Sequence, residues 1–154
     1  MTRNKLLLLL ALTAAVPAAA ASAFFGPPPQ PCFVEGNAGY RFTAAPAADY
    51  TIRVGGETAR PDLRLQLVSD AAQADFVLVD DGDGAPACHG AGAKSIRVDA
   101  AAANPDVIVD LSKQPAEGAY KIFVRSASVT EQDAAALFAV IWKTSHGREF
   151  VARR

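Results

Sequence analysis

The side chains best equipped for chemistry in this 154-residue chain crowd into one stretch, Asp80 to His89, with one further histidine at His146. Cys88 and His89 are a thiol beside an imidazole, the pair a nucleophilic mechanism would use. Neighbours on an extended segment point to opposite sides, so a working dyad would need His146 folded against Cys88. Asp80, Asp81 and Asp83, followed by His89, are the candidate metal ligands, because hard cations want several oxygens on a turn-forming loop. The calcium-loop pattern stops short: Ala85 and Pro86 follow and no glutamate closes it. The two histidines lack the helical spacing of a zinc motif. Gly55-Gly56 and Gly90-Ala91-Gly92 lack the lysine and the strand-to-helix setting of a phosphate loop, and no Gly-x-Ser-x-Gly elbow occurs. These residues therefore predict no catalytic centre and no cofactor, and the aspartates read as a solvated turn.

What must carry those residues is an exported domain. Arg3 and Lys5 precede an apolar run from Leu6 to Val16, and Ala21-Ser22-Ala23 precede Phe24, the three parts of a secretory signal over residues 1–23. Pro17 interrupts the run well before the ~20 apolar residues that a membrane span requires, so no stable membrane insertion is expected once the signal is removed. Removal leaves 131 residues with 13 basic and 16 acidic side chains, a net charge of −3. That balance excludes nucleic acid as the expected partner, since phosphate backbones need clustered Lys and Arg. Lys143, Arg148, Arg153 and Arg154 form a basic end that reads as solvated. In an oxidising compartment the only two cysteines, Cys32 and Cys88, are expected to pair. Their 57-residue loop would stabilise the fold by about 4 kcal/mol in the chain-entropy view.

Phe24 to Pro31, with prolines at 27, 28, 29 and 31, reads as a stiff extended leader, and residues 32–154 as a single domain. Alternating segments predict strands at 50–54, 63–67, 95–99, 107–111 and 120–125, each with one apolar face. Phe76-Val77-Leu78-Val79 is apolar without alternation, which predicts a central strand covered on both faces. Ser69 to Ala74 predicts a short helical turn capped by Ser69 or Asp70. Thr130-Glu131-Gln132-Asp133 predicts the start of a helix whose stripe is Leu137, Val140 and Ile141, with Phe138 and Trp142 beside it. Gly147 is expected to end it, with Glu149-Phe150-Val151 as a short last strand. No internal repeat is evident. With no strand-helix alternation, a doubly wound parallel sheet is disfavoured. The expected fold is α+β: an antiparallel or mixed sheet of about six short strands with one C-terminal helix packed on a face, a small β-sandwich being the alternative.

The run from Pro61 to Asp80, with Ala74-Asp75-Phe76-Val77-Leu78, resembles a stretch found in periplasmic α/β modules of the curli-secretion and penicillin-binding-protein-activator kind. The segment from Tyr120 to Trp142 resembles an uncharacterised family of small secreted proteobacterial proteins. The resemblance implies a periplasmic location and an α+β fold, and brings no catalytic residue. The function expected is that of a non-enzymatic envelope accessory or interaction module with an envelope protein as partner. A small ligand- or metal-binding protein using the Asp80 to His89 loop, and a small hydrolase with an assembled polar site, are the alternatives.

Overall fold

The computed structural model describes residues 32–56, 58–80 and 92–151, with side chains described as far as Ser145. Its class is α+β, and the sheet is larger than the sequence predicts. The strands are β1 (Cys32–Glu35), β2 (Ala38–Phe42), β3 (Tyr50–Gly55), β4 (Leu63–Leu67), β5 (Phe76–Asp80), β6 (Lys94–Val98), β7 (Val107–Ser112) and β8 (Tyr120–Ser126). The one long helix among the described residues, α1, is Glu131–Val151. It runs through Gly147 and over the residues expected to form a last strand, so neither that stop nor that strand exists. The 3-10 turn Ala71–Gln73 forms as expected, capped by Asp70, whose carboxylate accepts the Ala72 N–H at 2.9 Å.

Strand order is β1-β2-β6-β3-β7-β4-β8-β5. Only the hairpin β1–β2 pairs antiparallel, its two-residue turn using Gly36 at φ 58°. Every other pairing is parallel. Parallel neighbours ordinarily need a long crossover, often a helix. Here the strands are staggered, which removes that need. Phe42 at the end of β2 and Tyr50 at the start of β3 both pair with Ile96 on β6, so the chain leaves one strand level with where the next begins. Residues 43–49 need only sidestep about 10 Å, two strand spacings. The same step recurs at Val54, Val109 and Leu63, and at Leu67, Ile122 and Phe76. Two ribbons thus interleave: β2 to β5 in one, β6 to β8 in the other.

This geometry is written in the sequence as a repeat of 13 residues, contrary to the expectation of none. Ile52, Leu65 and Leu78 are 13 apart and buried, as are Ile96, Val109 and Ile122. An aspartate stands immediately before β3, β4, β5 and β7, at Asp49, Asp62, Asp75 and Asp106. Asp62 donates its N–H to the Ile108 carbonyl at 2.9 Å and accepts the Ile108 N–H on its carboxylate at 2.8 Å. Asp75 does the same with Lys121, and Asp106 with Thr51. At Asp49 the serine hydroxyl of Ser95 replaces the carbonyl as acceptor. Each aspartate therefore imitates a strand residue and holds the register of the neighbouring strand as the chain arrives from its crossover.

The helix does not lie on an open face. Residues 134 to 137 cover a full turn, and Ala134, Ala135 and Ala136 are 0% exposed and Leu137 2%. A helix buried all round must lack an amphipathic stripe, and the small alanines let the sheet curl closely about it. Ala139 and Val140 continue the enclosed stretch. The crossovers lie outside: Arg53, facing away from Ile52 and Val54, donates to the Ala102 carbonyl at 3.1 Å. The helix starts where expected, and there Thr130 and Asp133 form a capping box, each side chain accepting the other's backbone N–H.

Candidate functional site

Curling brings the two edge strands of the sheet to the same place. β1 and β5 are its outermost members, and Phe33, Val34 and Glu35 from one face Phe76 to Val79 from the other across a cleft of about 220 Å³ floored by Tyr40, Leu137 and Ile141. β5 is thus an edge, not the central strand its composition predicts. Phe76 and Leu78 point inward, while Val77 and Val79 stand outward at 47% and 43% exposure. Val34 on β1 is 64% exposed. Edge strands are usually blunted by lysine, proline or a bulge, and β5 has neither lysine nor proline. Three of the four exposed large apolar side chains among the described residues lie on these two strands. The fourth, Tyr120, is fastened to α1, its ring 5.5 Å from Phe138, which also meets Phe76 at 5.2 Å.

A second hollow, of about 550 Å³, opens between the β1–β2 hairpin and the helix. It shares Glu35, Tyr40 and Ile141 with the cleft and adds Asn37, Thr144 and Ser145. Among the described residues, Glu35 is the one formally charged side chain in either lining. Such a surface can seat an extended apolar segment.

Of the candidates named from sequence, Asp80 closes β5, where its carboxylate accepts hydroxyls from Ser126, at 2.9 Å, and Ser128. It thereby ties β5 to the approach to α1. Asp81, Asp83, Cys88 and His89 lie outside the described residues, as does the side chain of His146. No group of three or more potential metal ligands occurs among the described residues. Cys32 is buried, and no described cysteine is free. Lys143 is no solvated tail residue: its ammonium meets the Asp106 carboxylate at 2.9 Å and the Asp106 carbonyl at 3.1 Å, fixing the helix to the crossover before β7.

Two register aspartates are shifted. At Asp49 the Ser95 N–H, then the Ser95 hydroxyl, hold the carboxyl below its ordinary 3.8. At Asp106 burial pushes the carboxyl up, but the Thr51 N–H and the Lys143 ammonium outweigh it and the net shift is downward. A carboxyl lowered on folding contributes stability that is present above its unfolded value and lost as pH falls through the folded one. Urea unfolding should therefore give a constant midpoint from pH 7 to about 5 and a falling one below about 4. Asp106→Asn should flatten that fall; an unchanged profile would contradict the assignment.

Sequence reasoning missed this cleft because outward exposure of Val77 and Val79 depends on strand order. Its one signal was the unbroken apolar run Phe76 to Val79. No helix among the described residues is long and apolar enough to cross a membrane. Compared with family models, curated proteins and solved structures, the chain matches none.

Proposed function

We propose that this chain is a non-enzymatic, exported interaction module of the cell envelope that docks a partner protein on the cleft between β1 and β5. The observation that carries the reading is the pair of edge strands, each without a strand neighbour on one side among the described residues, bearing Val34, Val77 and Val79 outward beside an apolar floor. Added strands draw affinity from main-chain hydrogen bonds and specificity from alternate side chains, both of which such an edge provides. Export is supported by the signal-like residues 1–23, and the pairing of Cys32 with Cys88 belongs to the same reading. Thiol titration of the denatured, unreduced protein should then find no reactive thiol; two would refute the bridge.

The test of docking is a double variant, Val77→Lys with Val79→Lys. Both side chains are exposed and outward, so the melting temperature should stay within a few degrees of the parent. Gel filtration of cell extracts should show the parent in a complex larger than its own mass and the variant at the monomer position. Identical elution of the two would overturn the reading.

A further inference from the structure

We infer that β5 is the open end of the interleaved ladder, and that another protein lends it one strand, parallel to β5 and in the register of the next 13-residue step. The inference rests on the docking reading above and goes further in fixing the direction and side-chain pattern of the lent strand. In the ladder, members of the first ribbon lie between two members of the second: β3 between β6 and β7, and β4 between β7 and β8. β5 follows with β8 on one side and, among the described residues, no strand on the other. The reason is in the chain. Val109 on β7 and Ile122 on β8 are 13 apart, so a further strand would be centred 13 residues on, at Ala135. Ala135 lies in α1, fully buried inside the curl of the sheet. The segment due to continue the ladder fills its interior instead, and β5 is left with a place that the repeat has shaped.

β3, two steps earlier, shows what fits that place. There the Thr51 N–H donates to the Asp106 carboxylate at 2.9 Å, and the Thr51 carbonyl accepts the Asp106 N–H at 2.7 Å. From Asp106 the strand β7 runs parallel, with Val107 level with Ile52 and Val109 level with Val54. Two steps of 13 carry Thr51 to Val77 and Ile52 to Leu78. The N–H and carbonyl of Val77 therefore face the open side. A lent strand meets them as Asp106 meets Thr51: an aspartate opposite Val77, an apolar residue level with Leu78, an outward residue, then a second apolar residue. The two apolar side chains share the inward face of Leu78, on the side of Leu137 and Ile141. Two copies joined through β5 by a two-fold axis would run antiparallel, so this place calls for a different chain. Charge does not choose among partners, because Lys121, bonded through its N–H to Asp75, and Arg125, level with Val79, offset the acidic residues of β5.

The probe is a synthetic Ser-Asp-Val-Thr-Val-Thr-Gly peptide, titrated into the whole protein and followed by backbone amide shifts. Its shifts should centre on β5, with the Val77 amide among the most displaced. A nitroxide on the peptide N-terminus should broaden amides around Phe76, and one on its C-terminus those around Asp80. Alanine in place of the peptide aspartate should weaken binding about fivefold, the usual loss when a backbone N–H forfeits a side-chain acceptor. The opposite broadening pattern would overturn the parallel register and leave the docking edge standing. Equal affinity of the alanine peptide would overturn the bond to Val77. Concentration-dependent shifts over residues 76–80 without peptide would put a second copy in place of the other protein and overturn the inference. Shifts centred elsewhere, or no binding, would overturn the lent strand itself, while the docking reading is judged separately by the elution of the lysine double variant.

Discussion

Lysine placed singly at Ala134, Ala135 and Ala136 should destabilise the protein at all three positions, by about 3 kcal/mol or more each. The reason is geometric. Three successive helical residues point about 100° apart, so a helix resting on one face of a sheet would turn at least one of them to water. All three are fully buried here, and a lysine at any of them must either displace the sheet or bury an ammonium without a partner. Thermal or urea unfolding of the three variants reads the effect directly. A neutral result at one of the three would restore the one-face packing that the sequence predicts.

The second large effect is one of register. An alanine inserted between Arg64 and Leu65 takes the inward position and turns buried Leu65 outward in a strand flanked on both sides, by β7 and β8. Such a chain should not reach the native fold, and its circular dichroism should show no cooperative transition. An alanine inserted between Ala59 and Arg60, in the crossover, should cost under about 1 kcal/mol, because loop length is a weak determinant of closure entropy. The contrast follows from the interleaved ribbons. Asp62 still reaches Ile108 after the crossover insertion, whereas the strand insertion breaks the match between Leu65 and both Leu111 and Tyr120. Comparable stability of the two insertion variants would contradict the topology.

These expectations show what could and could not be read beforehand. Alternation identified the inward faces correctly at Ile52 and Val54, Leu63 and Leu65, Ile96, Val107 and Val109, and Ile122, because period-two burial is a local property. The capping chemistry of Thr130 and Asp133 was likewise local. The short strands β1 and β2 escaped, as Gly39 breaks the alternation of β2 and Cys32 to Glu35 carries little of it. Parallel pairing escaped because short crossovers suggest hairpins, and only the stagger permits them to join parallel strands. The 13-residue period was visible in principle in Asp49, Asp62 and Asp75, each followed by an apolar-x-apolar triplet, but those aspartates look like ordinary turn residues until their partners 46 positions away are known. The enclosed helix had a sequence signal too: Ala134, Ala135, Ala136 and Ala139 are too small for a packing stripe and suited to close wrapping.

The cleft is the least local feature of all, since it exists only where the first and last strands of the sheet approach one another. Phe76 to Val79 carries the composition of a strand covered on both sides, and the structure leaves its outward face uncovered. The proposed docking of a partner would resolve that mismatch. The most direct measurement is site-specific photo-crosslinking in the living cell, with the photoreactive residue at Val77 and, as control, at the exposed Lys113. The account predicts a defined adduct with one other protein from position 77 and none from position 113. Absence of an adduct at 77, or the same adduct from both positions, would contradict it.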